Sequence, residues 1–141
     1  MTSNPSTQGV EAKCYEFKGK QCASITKAPL NGTYPIEKVM IAEKAKGNIG
    51  LVIKGFINEP KDDIYTFALL SDDGSTLVID GEQVIDNDGP HGPREVIGQK
   101  ALSKGYHPIE VRYFDQNGGQ LKMTVTGTEG NEIPTSDLYA N

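Results

Sequence analysis

A chain of 141 residues with 36% hydrophobic residues and no Trp suits one domain, whose core must come from Val, Ile, Leu, Phe and Tyr. With 19 acidic against 14 basic residues the net charge is −5, which argues against nucleic acid and anionic membrane surfaces as partners. No apolar run is long enough to span a bilayer.

Residues 1–9 are polar, carry no secretory leader, and read as a disordered lead-in to a single domain over 10–141. A missing leader does not make the chain cytoplasmic. Val10 to Phe17 is a short first strand. Lys18 to Lys46 has no clean period and carries Pro29, Gly32 and Pro35, which predicts loops with one short strand at most. Ile49, Leu51 and Ile53 alternate with Gly50, Val52 and Lys54, a strand pattern that runs to Ile57. Asn58 to Asp63 is a turn cluster. Ile64 to Leu70 is the most apolar run and predicts a central strand.

Ser75 to Asp80 and Glu82 to Ile85 form a hairpin around Asp80-Gly81. Asp86 to Pro93 holds two Pro and two Gly, so it is a long surface loop. Glu95 to Leu102 and Tyr106 to Phe114 are further strands, with Pro108 near a strand start or on an edge. Asp115 to Gly119 is a loop, and Gln120 to Thr126 a last alternating strand. Ile133, Leu138 and Tyr139 anchor the remainder. Short strands divided by turns, with no sustained helical period, predict an all-β antiparallel sandwich or barrel.

The stretch with the most chemistry is Leu69-Leu70-Ser71-Asp72-Asp73-Gly74-Ser75. Two neighbouring carboxylates between buried strands repel by about 1 kcal/mol in water and several times that in a less polar site. A divalent cation removes that cost, and Ca²⁺ prefers carboxylate and carbonyl oxygens. Taken alone, the stretch reads rather as a polar turn, with Asp and Gly serving the backbone.

The other candidates are plainer. Asp86-Asn87-Asp88-Gly89 opens like an EF-hand loop, but the closing Glu and the flanking helices are missing. Asp62-Asp63 is a solvated turn. His91 has no nucleophile motif beside it, and His107 before Pro108 is a structural or surface group. Adjacent Asp72 and Asp73 are a poor glycosidase pair, because such carboxylates face each other across a substrate from different elements. Cys14 and Cys22 fit no zinc spacing. They form either a local disulfide or two independent thiols.

The ordered set Tyr65-Thr66-Phe67, Ser71-Asp72-Asp73-Gly74-Ser75, Leu77-Val78-Ile79-Asp80-Gly81, Val84 to Gly89, His91-Gly92, Gly105 to Ile109 and Val111-Arg112-Tyr113-Phe114 resembles one family. It is the fourteen-kilodalton domain named after the anthrax protective antigen, the PA-fourteen domain, and the resemblance covers about Val10 to Tyr139. It implies a β-sandwich of two antiparallel sheets in an extracellular, cell-surface or periplasmic protein. Members are modules of glycoside hydrolases, adhesins, surface proteins and toxins.

In sugar-binding members the adjacent Asp residues are joined by a cis peptide and chelate Ca²⁺, which binds two hydroxyls of a terminal sugar. The resemblance then nominates Asp72, Asp73, Asp115, Asn117 and Gly119 as metal ligands. Asp115 stands where the adhesins carry Asn, a departure that keeps a good Ca²⁺ ligand. Asn87, His91, Gln116 and Asn117, with the Asp pair, are nominated to contact the ligand. The loop offers no aromatic face for stacking. The expectation is a non-catalytic, Ca²⁺-dependent carbohydrate-binding module with a glycan partner. The alternative is a structural or protein-interaction accessory module of a secreted glycoside hydrolase or surface protein, without sugar binding.

Overall fold

Alternating buried and exposed residues recur along nearly the whole of the computed structural model, which describes residues 7–116, 118–130 and 137–140. Among these, eleven strands form: β1 (Thr7–Gln8), β2 (Val10–Glu16), β3 (Leu30–Ile36), β4 (Asn48–Glu59), β5 (Asp63–Asp72), β6 (Ser75–Ile79), β7 (Glu82–Asn87), β8 (Arg94–Leu102), β9 (Gly105–Gln116), β10 (Gln120–Thr126) and β11 (Tyr139–Ala140). The large sheet runs β1-β11-β4-β9-β6-β7, with β2 also on β4 and β3 on β2. The small sheet runs β10-β5-β8, and every pairing in both sheets is antiparallel. The fold is the expected all-β sandwich of two antiparallel sheets.

The core lies between the sheets. Tyr65, Phe67 and Leu69 of β5 face Ile49, Leu51, Ile53 and Ile57 of β4, Leu77 and Ile79 of β6, and Val111 and Tyr113 of β9, all essentially fully buried. Period-two alternation puts every second residue on that face, and burying each such side chain is worth about 1.5–3 kcal/mol. A second apolar cluster sits on the outer face of the large sheet. There Phe17 and Ile25 pack on Val52 and Phe114, and the Phe17 and Phe114 rings meet edge to face at 5.6 Å.

The turn at Asp80-Gly81 forms as expected. Both residues take positive φ, +53° and +79°, and Ile79 pairs directly with Glu82. Elsewhere the strands outrun the sequence pattern. β4 continues to Glu59 and β9 to Gln116, because their ladder holds from Asn48↔Gln116 to Glu59↔Gly105. Pro108 stands inside β9 rather than on an edge strand. Its carbonyl accepts the Asp80 N–H, so its nitrogen faces the same side, beyond the last β6 pair at Ile79↔Ile109.

Within 18–46 the one short strand allowed by the sequence is β3, and the 3-10 helix at Cys22–Lys27 is the element that the sequence pattern did not announce. Pro35 is tolerated because β3 pairs only with β2. Thr7 and Gln8, inside the expected lead-in, pair with Ala140 and Tyr139. Leu138 is a buried anchor. Ile133 lies outside the described residues.

Cys14 and Cys22 are separate buried thiols, one in each apolar cluster. Burial pushes both thiols up, with Asp115 adding to Cys14, and the Asp88 hydrogen bond and charge adding to Cys22. Thiols held protonated and out of water react slowly. A thiol reagent is therefore expected to titrate two cysteines in unreduced protein unfolded by denaturant and almost none in the native protein. A count of zero after unfolding would mean that they pair.

Candidate metal and ligand site

β5 belongs to the small sheet and β6 to the large one. The two residues between them, Asp73 and Gly74, therefore carry the chain across the sandwich. The Asp72–Asp73 peptide bond is cis. The turn is fastened to β9 by two backbone bonds: Asp73 N–H donates to the Phe114 carbonyl at 3.2 Å, and Phe114 N–H donates to the Gly74 carbonyl at 3.0 Å. Gly74 is required here, since a Cβ would lie 2.6 Å from the Phe114 ring and 2.8 Å from the Gly89 backbone.

The Asp73 carboxylate joins the 88–93 loop to the end of β9. Oδ1 accepts the His91 N–H at 3.1 Å, and Oδ2 accepts the Gln116 N–H at 3.2 Å. Asp72 and Asp73 are both half-buried, and the Gln116 side chain beside them is exposed. Asp115 is 2% exposed. Its Oδ1 accepts the Gly118 N–H at 3.1 Å, and its Oδ2 lies 2.7 Å from the Tyr113 hydroxyl. The same hydroxyl lies 2.7 Å from the Asp72 carbonyl. One hydroxyl proton serves one acceptor, so both contacts are hydrogen bonds when Asp115 carries a proton. Gly119 closes over this group, and a Cβ there would collide with the Asp72 carbonyl and the Tyr113 hydroxyl.

The electrostatics agree with that geometry. Burial raises the Asp115 carboxyl, and the charges of Asp73 and Asp72 push it further, against the bonds from Tyr113 and Gly118. Burial also raises the Tyr113 phenol, helped by its bond to Asp115 and by all three carboxylates. None of the ion pairs among the described residues reaches Asp72, Asp73 or Asp115. An open cleft of about 320 Å³ adjoins Asp115, Gly118 and Gly119 and is walled on its other side by Ile41, Ala45, Lys46 and Gly47. These wall residues were not foreseen from the sequence, because the segment has no motif. The end of the β4–β9 ladder, Asn48↔Gln116 and Ile49↔Asp115, brings it alongside.

The loop 88–93 is built from within. Asn87 is fully buried, and its amide nitrogen reaches the Leu69 carbonyl (3.1 Å), Ser71 Oγ (3.2 Å) and the Arg94 carbonyl (2.9 Å), while its oxygen accepts Arg94 Nε at 2.7 Å. It therefore organises the loop from inside, with its side chain out of reach of a ligand. His91 meets the site through its backbone N–H, while its ring nitrogens lie 2.7 Å from the Gly92 carbonyl and 2.8 Å from the Asn87 carbonyl.

Ca²⁺ tests the donor set. Two half-buried carboxylates in one turn, that of Asp73 held by two amides, are oxygen donors of the right chemistry. Asp115 is engaged by Tyr113 and Gly118, and among the described residues no three acidic, His or Cys side chains converge to hold a metal. The side chains that remain as oxygen donors are thus Asp72 and Asp73. Asn117 lies outside the described residues. Away from this site, Asp80, His107 and Ser103 line up like a hydrolytic triad. However, His107 Nε2 lies 2.8 Å from the Ser103 carbonyl and 3.5 Å from Ser103 Oγ. A nitrogen donating to a carbonyl cannot take the hydroxyl proton, so Ser103 is not activated.

Known structures with this fold include the PA14 domain of the MpAFP antifreeze protein, with a TM-score of 0.79 and 14% identity over 99% of this chain and 95% of that one. A PA14 sugar-binding domain from an RTX adhesin aligns with a TM-score of 0.76 and 15% identity, covering 96% and 100% of the two chains. The A domain of epithelial adhesin 9 from Candida glabrata, in complex with Galβ1-3GlcNAc, aligns with a TM-score of 0.69 and 14% identity over 95% and 89%. No functionally curated protein matches the sequence. The PA14 domain family model matches residues 6–137. With the crossed-over Asp-Asp-Gly turn and the two-sheet sandwich around it, the chain belongs to the PA14 domain family.

Proposed function

We propose that this domain is a non-catalytic carbohydrate-binding module in which Asp72 and Asp73 hold Ca²⁺ for a sugar diol. The observation that carries the reading is the Asp73 carboxylate, pinned by one amide from the 88–93 loop and one from the end of β9. That arrangement fixes the pair beside Asp115, and none of the ion pairs among the described residues reaches any of the three. Sugar-binding relatives of the same fold support the ligand class. Bound Ca²⁺ would supply open coordination positions for two vicinal hydroxyls. The exposed Gln116, Asn117 and the 41–47 wall would then choose among sugars. Such a module works outside the cell, at its surface or in the periplasm, alone or beside domains of a larger protein. The same two amide bonds to Asp73 favour one second reading, in which the pair is a turn device of a structural or protein-interaction module.

Calcium separates the two readings. Folded-state binding at 100 times Kd adds about 2.7 kcal/mol, or roughly 5–10 °C in Tm for a domain of this size. Melts in millimolar CaCl₂ and in excess chelator should differ by that order, and Asp73→Asn should abolish the difference. A glycan array should then bind in calcium alone. Equal melts would leave the turn device.

Asp115 gives a pH test on the chelated protein. Its folded-state pKa is raised, so between about pH 4, where the unfolded carboxyl ionises, and its folded value the native state holds more protons. Stability therefore falls as pH rises through that window. Asp115→Asn keeps the shape without the charge. It should raise the chelated protein's Tm at pH 7 relative to wild type, with the gain shrinking towards pH 4. A gain independent of pH would show that the charge is not the cause.

A further inference from the structure

Tyr65, Phe67 and Leu69 of β5 turn one face of the small sheet into the core. Alternation turns the residues between them outward. The register then sets their neighbours across the three strands. Ala68 stands between Thr124 of β10 and Ile97 of β8, and Leu70 between Lys122 of β10 and Glu95 of β8. Ile64 shares the face and is 50% exposed, and Ile97 is 60% exposed. These are two of the three large apolar side chains that the described residues leave in water. Apolar groups gathered on one open face mark a contact surface.

The charges of this face are sorted by side. Lys122 and Glu95 flank Leu70 in one row, each about 4.8 Å from the central strand. Both are exposed, and neither takes part in any of the ion pairs among the described residues. One positive and one negative group, placed symmetrically about β5, make the face complementary to itself.

We propose that this face pairs with the same face of a second copy of the chain, about a two-fold axis that runs along β5. A half-turn about that axis exchanges the β10 and β8 sides and keeps each row at its height. Lys122 of each copy then lies over Glu95 of the other, twice in the dimer. Leu70 meets Leu70, Ala68 meets Ala68, and Ile97 lies over Thr124. An axis crossing the strands at the same row would instead set Lys122 on Lys122 and Glu95 on Glu95, so the charges choose the axis as well as the occupant. Two sheets related in this way stack in the aligned manner of a sandwich. From Ile64 to Asp72 the three strands present about 14 Å by about 27 Å, or roughly 400 Å² per copy and 800 Å² for the pair. That is less than the roughly 1,200 Å² of stable complexes, so the dimer is weak and forms where copies are concentrated. Asp72 ends the same outward row of β5, so both Asp72–Asp73 turns lie at one end of the dimer.

The test is sedimentation velocity of the whole chain between about 10 µM and about 1 mM, in calcium and in chelator. Wild type should shift from monomer towards dimer as concentration rises. Lys122→Glu sets Glu on Glu across the axis and should weaken self-association about tenfold or more. Glu95→Lys, which sets Lys on Lys, should do the same. Mixed in equal amounts, the two variants should associate again, because each then offers the other the opposite charges. Both substitutions are at exposed positions, and recovery on mixing also shows that the variants are folded. The proposal is overturned if wild type stays monomeric throughout in both conditions, if either single variant associates like wild type, or if the mixed variants stay apart. Neither a sugar nor bound calcium is needed, so this result and the calcium melt fail independently.

Discussion

Two backbone hydrogen bonds hold this molecule's functional end together, those that tie Asp73 and Gly74 to Phe114. The crossing from small sheet to large is only two residues long, so its N–H and C=O groups cannot be left to a flexible loop. They are taken by β9, the strand that also pairs with β4 and β6. Gly74 has no Cβ because the Phe114 ring and the Gly89 backbone already occupy that space. From this fastening follow the position of both aspartates, the start of β6 and the approach of the 88–93 loop.

The fastening has an electrostatic consequence. It fixes Asp72 and Asp73 close to a buried Asp115, where like charges at 4 Å cost about 1 kcal/mol in water and about 4 kcal/mol at an effective dielectric of 20. The protein offsets part of that cost with amides from His91, Gln116 and Gly118 and with the Tyr113 hydroxyl. Amides orient carboxylates without neutralising them. That gathering of carboxylates, reached by none of the ion pairs among the described residues, distinguishes this turn from Asp62-Asp63 near the start of β5, where the Lys61 charge acts on Asp63.

Much of the sandwich was legible because two-residue alternation in β4, β5 and β9 is a local signal, and because Asp80-Gly81 at positive φ is a local turn. Strand ends were not, since β4 and β9 extend each other by pairing, which is a non-local fact. The site was half legible. Asp72-Asp73-Gly74 stands out as a motif, and Gln116 proved to be an exposed neighbour. Asn87 was misplaced because a polar residue among Asp and Gly looks solvent-facing, yet its side chain closes a buried network with Ser71 and Arg94. Asp115 is buried because strand β9 continues past Phe114 and alternation turns it inward. Sequence spacing alone cannot report that a strand has not yet ended.

The second apolar cluster explains why the loops of the site need no disulfide. The Cys22 N–H donates to both oxygens of Asp88, at 2.9 and 3.2 Å, and Arg112 Nη1 donates to the Cys22 carbonyl at 3.3 Å. The short 3-10 helix is thereby tied to the 88–93 loop on one side and to β9 on the other. The same loop donates its His91 N–H to Asp73. Packing of Phe17 and Ile25 on Phe114 thus reaches the Asp pair by two routes, through the loop and directly through the Phe114 backbone. A ligand site made of loop atoms needs such rigid support to keep its geometry, and here apolar burial on the outer sheet face supplies it.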